Sequence, residues 1–209
     1  MTTITNNPLL DGLDEKVIDR DPIKQFQIWF NDAIVAKLPM PDAMTLATAT
    51  PDGKPSARMV LLKQVDHDGF VFYTNYHSAK AAQLDANPFA ALVFYWVQLD
   101  RQVRVEGSVT KTSPEESRDY FRTRPRESQI GAWASEQSEV ISSREVLEQR
   151  ALELETLYSD RDIDCPEHWG GYRLKPERIE FWKSRIGRLH DRILYQRTAE
   201  GWSITRLAP

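Results

Sequence analysis

The stretch from Met44 to Thr112 limits the possible folds most strongly, because short β-rich runs alternate there with turn residues. The turns contain Pro51-Asp52-Gly53 and the segment from Asp66 to Gly69. The strands predicted from this pattern are Met44–Thr50, Ser56–Val65, Phe70–Thr74, Phe89–Val97 and Gln102–Thr112. Such closely spaced runs favour consecutive antiparallel hairpins.

The remaining segments complete the fold prediction. Four strands are expected in the last third: Gly171–Leu174, Arg178–Lys183, Leu189–Gln196 and Trp202–Leu207. Helices are expected from Pro22 to Leu38, from Ser78 to Asn87, from Ser113 to Arg124 where Pro125 ends it, and after the Ser142/Glu145 capping pair. The last helix should bury Val146, Leu147, Leu154 and Leu157. Without βαβ alternation, these elements predict a mainly β protein, an antiparallel barrel with helices packed outside.

The domain prediction is a flexible N-terminal arm over residues 1–20 and one domain over residues 21–209. A single cysteine, Cys165, excludes an intrachain disulfide, and no signal peptide or membrane-length apolar run is visible. A cytoplasmic protein without membrane contact is therefore expected. The net charge of −4 disfavours a nucleic-acid partner, and no metal spacing, P-loop or dinucleotide fingerprint occurs.

Potential cations cluster near the C-terminus, in the run Arg188-Leu189-His190-Asp191-Arg192. In a strand, Arg188, His190 and Arg192 would share one face. Like charges so arranged destabilise a sheet unless something offsets them. Either a bound anionic ligand or a solvated, cross-strand-paired face would account for the pattern.

A second candidate set lies around the predicted helix after Ser113. Tyr120 and Arg124 are four residues apart and so share a helical face, with Ser128 just beyond Pro125. A guanidinium with two hydroxyls suits a phosphate group, although arginine-rich helix ends are commonly surface features.

Two weaker signals involve basic residues near strand and helix ends. Arg58 and Lys63 would point to opposite faces of a regular strand, or flank a bulge. Ser78 and Lys80 begin a predicted helix, where free amide groups favour an anion.

Several short motifs, taken together, are specific enough to indicate a protein family. They are RMVLLK (Arg58–Lys63), FYT (Phe72–Thr74), RQV (Arg101–Val103), YFRTRPRESQIGAW (Tyr120–Trp133), Gln137-Ser138, WGG (Trp169–Gly171), Ile179–Trp182 and the final segment Arg188–Pro209. In order and spacing, from about residue 44 to residue 209, the chain resembles the pyridoxine 5′-phosphate oxidase family.

The resemblance implies an antiparallel split β-barrel homodimer with FMN at the subunit interface. It implies hydride transfer from the 4′-carbon of pyridoxine or pyridoxamine 5′-phosphate to the flavin, and reoxidation by O₂ with release of H₂O₂. The implied FMN contacts are Arg58, Met59, Val60, Leu61, Leu62, Lys63, Tyr73, Thr74, Ser78, Lys80, Gln102, Gln137, Ser138, Trp182 and Arg192. The implied substrate contacts are Lys63, Tyr120, Arg124, Ser128, Arg188, Leu189 and His190, with Arg188 and His190 as the catalytic pair.

The chain departs from the family pattern at Ala79, where arginine is common, and in the N-terminal arm, which lacks an Arg-Arg-x-Tyr segment. Loss of one charge-assisted hydrogen bond would weaken FMN binding roughly ten- to hundredfold unless another arginine substitutes. Three other functions stay open: an oxidase for another aromatic ring such as a phenazine precursor, a non-catalytic FMN or pyridoxal phosphate carrier, and RNA binding through residues 118–126.

Overall fold

The computed structural model describes residues 12–209. Its α-helices are α1 (Pro22–Val35), α2 (Ala79–Ala86), α3 (Pro114–Thr123), α4 (Arg126–Ala134) and α5 (Arg144–Leu157). Its strands are β1 (Ala43–Ala49), β2 (Pro55–Leu61), β3 (Gln64–Asp66), β4 (Gly69–Asn75), β5 (Phe89–Trp96), β6 (Arg101–Lys111), β7 (Trp169–Lys183), β8 (Asp191–Thr198) and β9 (Gly201–Leu207). Within this part of the chain, no helix is both long and apolar enough to cross a membrane.

All nine strands form one antiparallel sheet in the order β2-β1-β5-β6-β7-β4-β3, with β8 beside β7 and β9 beside β8. The long strand β7 pairs with β6 along one edge. On its other edge it pairs first with β4 and then with β8. A sheet that divides in this way confirms the predicted mainly β, antiparallel split-barrel architecture.

Aromatic residues on the concave side of the sheet form the main core. Phe26 of α1 meets Phe70 and Phe94 edge-on, each at a ring-centroid distance of 4.9 Å. All three rings are fully buried. Helix α1 begins at Pro22, where the Asp21 side chain accepts a hydrogen bond from the Ile23 amide, and it lays its apolar face over this core.

A smaller core lies under helices α3 to α5. Its buried members are Phe121, Ile130, Ile163 and Trp169. Because Trp169 opens β7 and Phe121 belongs to α3, this cluster fixes the helices against the start of β7. The candidate site lies at this junction.

Two helix predictions need correction. Pro125 ends α3 as predicted, but it is followed at once by α4, because proline is compatible with the start of a helix. Helix α5 begins after Ser143 rather than Ser142, and no side chain caps it. Of the expected buried stripe, Val146, Leu147 and Leu154 are half-buried and Leu154 packs on the smaller core, whereas Leu157 is 56% exposed; the prediction is therefore wrong for Leu157 and holds only in part for the others.

The C-terminal strands also differ from expectation. Gly171–Leu174 and Arg178–Lys183 belong to one strand, β7, whose register with β6 shifts at Glu106/Gly107. Strand β8 begins only at Asp191. Arg188 ends a short 3₁₀ turn and has a left-handed backbone with φ of 63°, so Arg188 and His190 do not alternate with Arg192 along a strand.

The segment before α1 makes specific contacts with the C-terminal strands. The Leu13 amide donates to the Asp191 carboxylate at 3.0 Å, and the Tyr195 hydroxyl donates to the Asp19 carbonyl at 2.7 Å. Arg206 pairs with Glu15 and with Asp191. The predicted flexible arm thus falls partly outside the described residues, and its described part lies against β8 and β9.

Candidate active site

A pocket of about 500 Å³ opens where β2, β4 and β7 meet α2, α3 and α4. Eleven of the residues predicted for the site line it: Met59, Val60, Leu61, Lys63, Tyr73, Thr74, Lys80, Tyr120, Arg124, Ser128 and Gln137. Its other lining residues are Asn75, Gly131, Ala132, Ser135 and Trp169. The residues assigned to two different ligands therefore share one cavity.

The predicted phosphate set is brought together by the break between α3 and α4. Arg124 follows the last residue of α3, and Ser128 lies in the first turn of α4. The Nη1 atom of Arg124 is buried and has no hydrogen-bond partner. Burial lowers the pKa of this guanidinium. An unsatisfied buried donor in a pocket is costly unless a ligand supplies the acceptor.

Lys63 also faces the pocket, from the loop after β2. Its Nζ atom pairs with the Asp42 carboxylate at 3.1 Å, and both side chains are less than one-third exposed. Strand β2 ends at Leu61, so the strict alternation that separates Arg58 from Lys63 does not extend to Lys63. Lys63 lies in the pocket, whereas Arg58 lies outside its lining.

Lys80 is the most buried cation of the pocket, with 9% of its surface exposed. Its ammonium donates to the Thr74 hydroxyl at 3.0 Å and to the Gln137 side-chain oxygen at 3.1 Å. Both partners are neutral. Burial, together with repulsion from Arg58, lowers the pKa of Lys80 to about 8.

Arg58 lies outside the pocket lining, held by neutral oxygens of β1, β2 and α2. Its guanidinium donates to the hydroxyls of Thr48 and Ser56, both at 2.6 Å, and to the Gln83 oxygen at 3.1 Å. Burial lowers its pKa as well. Arg58 and Lys80 thus form a partly buried pair of positive charges, which favours a nearby anion.

Three aromatic rings stand almost parallel along one wall. Tyr73 stacks on Tyr120 at a centroid distance of 4.0 Å and on Trp169 at 5.3 Å. Burial and the nearby Glu116 raise the pKa of Tyr73 to about 12. The Tyr73 hydroxyl is therefore a neutral hydrogen-bonding group at physiological pH.

Three further predicted FMN contacts, Ser78, Ser138 and Leu62, do not line the pocket. Ser78 is fully buried and caps α2, accepting a hydrogen bond from the Ala81 amide. The Ser138 hydroxyl, from a residue with φ of 80°, accepts a hydrogen bond from the Ala79 amide at 3.2 Å. The Leu62 side chain is buried in the main core, where it cannot contact a ligand in the pocket.

The other predicted site residues form a separate patch, which does not line the pocket. Gln102, Trp182 and Arg192 are neighbours on the adjacent strands β6, β7 and β8. The His190 ring lies 4.6 Å from that of Trp182, and its Nδ1 atom accepts a hydrogen bond from the Arg185 amide. Arg192 forms two hydrogen bonds with Glu180, at 2.7 and 3.1 Å.

Arg188 and Leu189 complete this patch in an exposed turn, with Leu189 73% exposed. Beside the patch, Tyr95 is 60% exposed and pairs with Gln102 across β5 and β6. The chain therefore places the predicted site residues in two separate groups: the pocket, and a patch that includes exposed aromatic and apolar side chains.

Sequence reasoning missed Trp169, Asn75 and Ser135 as pocket residues. Trp169 is buried, and it also lines the pocket. The WGG motif that begins with Trp169 was the available signal. Asn75 and Ser135 carry no signal of their own, because only the fold brings them near Lys80.

An antiparallel split barrel with a cation-lined pocket beside the sheet places this chain among the FMN-binding split-barrel proteins. A solved protein of Nostoc punctiforme, described as pyridoxamine 5′-phosphate oxidase-related and FMN-binding, shares this fold with a TM-score of 0.71 at 20% identity, over 88% of this chain and 97% of its own. The chain belongs to the pyridoxamine 5′-phosphate oxidase family, whose model matches residues 30–158. The model of the pyridoxine 5′-phosphate oxidase C-terminal dimerisation region matches residues 169–209.

Full-length relatives carry a more specific name. A pyridoxine/pyridoxamine 5′-phosphate oxidase of Rubrobacter xylanophilus is 59% identical over 95% of this chain and 91% of its own length. Its namesake from Paraburkholderia xenovorans is 56% identical over 100% of this chain and 99% of its own. The solved structure of PhzG from Burkholderia lata, in complex with tetrahydrophenazine-1-carboxylic acid, has a TM-score of 0.90 at 31% identity, over 96% of this chain and 100% of its own.

Proposed function

We propose that this chain is an FMN-dependent oxidase that converts pyridoxine 5′-phosphate and pyridoxamine 5′-phosphate to pyridoxal 5′-phosphate, with O₂ as the electron acceptor and H₂O₂ as the second product. The observation that carries the proposal is one pocket containing a buried cation, Lys80, and a half-buried one, Arg124, whose Nη1 atom is buried; neither has a carboxylate partner among residues 12–209. Two phosphate-bearing aromatic molecules would satisfy both. Family membership and the names of the full-length relatives support the same reaction.

The substrate phosphate would bind at Arg124, Tyr120, Ser128 and Lys63. The buried Nη1 atom of Arg124 supplies a donor that lacks an acceptor, which fits a phosphate oxygen. On substrate binding, the Lys63 ammonium would either leave the Asp42 carboxylate for the phosphate or contact both anions. Hydroxyls of Tyr120 and Ser128 add neutral donors on the same side of the pocket.

The FMN phosphate would bind near Lys80, with Arg58, Ser78 and Ser138 around it. Lys80 fits this role because its buried ammonium has only neutral partners, an arrangement that a phosphate would stabilise. Residues 59–61, with Tyr73, Thr74 and Gln137, would line the flavin. Leu62, whose side chain lies in the core, would contact it only through its backbone. When bound, FMN accepts a hydride equivalent from the 4′-carbon of the substrate and transfers the electrons to O₂.

A second copy of the chain would complete the site. The match of residues 169–209 to a dimerisation region supports a homodimer. We infer that the patch of Gln102, Trp182, Arg188, Leu189, His190 and Arg192 on one protomer faces the pocket of the other, with FMN between them. In this arrangement Trp182 and Arg192 would contact the flavin, while Arg188 and His190 would contact the substrate ring.

Arg188 and His190 would have different roles in the reaction. A guanidinium keeps its proton, so Arg188 would hold the substrate and stabilise developing negative charge rather than act as a base. His190 has one ring nitrogen, Nδ1, occupied by the Arg185 amide. Because Nδ1 accepts that hydrogen bond, the neutral ring carries its proton on Nε2, which would donate a hydrogen bond to the substrate.

The test is peroxide release by the purified, FMN-loaded protein in air, with pyridoxamine 5′-phosphate and, as the matched control, unphosphorylated pyridoxamine. We expect peroxide and pyridoxal 5′-phosphate in equal amounts, and a large preference for the phosphorylated amine. An Arg124→Met variant should lose most of that preference. Bound FMN without peroxide release from either B6 phosphate would indicate a carrier and would refute the oxidase proposal.

The likeness to PhzG favours a second candidate, oxidation of a reduced phenazine carboxylate. The two substrates carry different anions. The phenazine substrate has a planar carboxylate on a three-ring system, whereas the B6 substrate has a phosphate on a single ring. The set of Tyr120, Arg124, Ser128 and Lys63 offers more donors than a carboxylate can use. Faster flavin reduction by a reduced phenazine carboxylate than by pyridoxamine 5′-phosphate would favour the second candidate.

The remaining expectations stay predictions. Residues 21–209 are proposed to form one domain, with an N-terminal arm before it. A cytoplasmic location and the absence of a nucleic-acid partner are likewise proposed from the sequence.

A further inference from the structure

The guanidinium of Arg124 is held by aromatic faces rather than by an anion. Its central carbon lies 4.5 Å from the centre of the Trp169 ring and 5.6 Å from that of Phe121. Within the described residues, no carboxylate pairs with Arg124, and its Nη1 atom has no acceptor. A cation–π contact fixes the plane of a guanidinium without occupying its N–H donors, whereas a carboxylate would occupy them.

Trp169 is itself firmly placed. It is 7% exposed and opens β7, opposite Asn75 of β4. The next residue, Gly170, approaches Tyr76 so closely that an added Cβ would lie 2.2 Å from the Tyr76 oxygen. The edge of Phe121 packs against the indole at 5.1 Å. The ring therefore has little freedom to turn away from the guanidinium that it contacts.

The same indole extends the stack of aromatic rings in the pocket. Its plane lies within 10° of that of Tyr73 and within 7° of that of Tyr120. This buried ring thus contacts Arg124 directly, whereas Tyr120, with its ring centroid 6.3 Å away, is linked to it through Tyr73, which stacks on both rings. The indole carries no charge, and its one polar group is a neutral N–H donor.

We propose that Trp169 is a positioning residue for phosphate recognition: its indole holds the guanidinium of Arg124, with the ring of Tyr120, in the orientation that grips the phosphate of the B6 substrate. This inference rests on the proposed function, because it takes Arg124 as the phosphate ligand. It predicts that Trp169 sets the preference for phosphorylated over unphosphorylated ligands.

The experiment compares binding of pyridoxal 5′-phosphate and of pyridoxal to the FMN-loaded protein by titration calorimetry. The variants are Trp169→Leu, which removes the π face, and Trp169→Phe, which keeps a smaller one. The matched control is Trp202→Leu, because Trp202 also lies 4.5 Å from an arginine, Arg197, but outside the pocket. Near-ultraviolet circular dichroism and FMN content report whether each variant keeps its fold.

In Trp169→Leu we expect the dissociation constant of pyridoxal 5′-phosphate to rise about 2- to 30-fold, the range of a cation–π contact, while that of pyridoxal changes little. Trp169→Phe should recover part of the loss, and Trp202→Leu should match the wild type. In steady-state assays, the loss should appear in KM more than in kcat.

The inference would be overturned if Trp169→Leu weakened the binding of pyridoxal 5′-phosphate and pyridoxal equally, because Trp169 would then contribute only to packing. It would also be overturned if the binding of neither ligand became weaker. If Trp169→Leu fails to fold, the comparison of Trp169→Phe with the wild type decides in the same way. A wild-type protein that does not prefer the phosphorylated ligand would instead refute the phosphate site of the proposed function.

Discussion

Lys80 should make FMN binding depend on pH between 7 and 9. In the protein without FMN, burial and the charge of Arg58 lower the pKa of Lys80 from 10.5 to about 8. A bound phosphate would favour the charged ammonium and raise that pKa. FMN binding above pH 8 is then accompanied by uptake of a proton, and the affinity falls as the pH rises.

The size of the effect follows from the protonated fraction. With a pKa of about 8, Lys80 is about 90% protonated at pH 7 and about 9% at pH 9. If the complex keeps the proton throughout this range, the dissociation constant of FMN rises about tenfold over these two pH units, and most of that rise falls above pH 8.

The assay is quenching of flavin fluorescence when FMN is added to protein stripped of cofactor, measured at half-unit steps of pH. Lys80→Met should bind FMN more weakly at pH 7 and lose the pH dependence. Lys111→Met is the matched control, because Lys111 pairs with Asp85 at an exposed position outside the pocket. A wild-type affinity that is flat from pH 7 to pH 9, or an unchanged slope in Lys80→Met, would contradict the reasoning.

Three further outcomes are expected. Arg188→Leu should slow flavin reduction by substrate in single-turnover assays while FMN stays bound, and an unchanged rate would remove Arg188 from the chemistry. Lys63→Met should raise KM for the phosphorylated substrate with a smaller effect on kcat, and an unaltered KM would count against its phosphate role. Gly69→Ala should lower the free energy of unfolding, measured by urea denaturation, by ~1–3 kcal/mol or more. The reason is that Gly69 has a φ of +133° and that an added Cβ would lie 2.0 Å from the Leu174 carbonyl oxygen. Gly131→Ala, where a Cβ meets open space in a helix, should be neutral or stabilising, and an equal loss there would refute the steric argument.

Local sequence patterns predicted most of the fold. The capping residues Asp21, Ser78 and Ser113 lie at the starts of α1, α2 and α3, because side-chain caps act within three residues. The hairpins around Gly53 and Gly69 likewise depend on neighbouring residues. The burial of a helix face depends on tertiary packing, and it was predicted less well. Helix α5 carries leucines at helical spacing, yet none of them is fully buried in the chain.

The row of cations at the C-terminus shows the limit of spacing arguments. Arg188, His190 and Arg192 were predicted on one strand face, but Gly187 and Arg188 adopt positive φ and the strand starts at Asp191. Sequence composition and periodicity give no sign of a two-residue turn with positive φ, so they did not predict that the strand starts only at Asp191. The ion pair of Arg192 with Glu180 also shows that part of the charge is offset within the chain rather than by a ligand.

The predicted site residues fall into two groups within one chain, the pocket and the patch around His190. Lys80, Tyr73, Tyr120 and Arg124 converge in one pocket, because β4 and α3 pack against the start of β7 and α2 follows directly after β4. His190 packs on Trp182 in a patch whose residues do not line that pocket, and exposed Leu189 and Tyr95 lie beside them. No spacing rule within a single sequence relates these two sets, and in the proposed dimer the distance between them would be set by how two copies associate. If the proposed dimer is correct, the catalytic pair acts on the partner's pocket, so mixing an Arg188→Leu chain with an Arg124→Met chain should restore one intact site per heterodimer, and no recovery of activity would refute that arrangement.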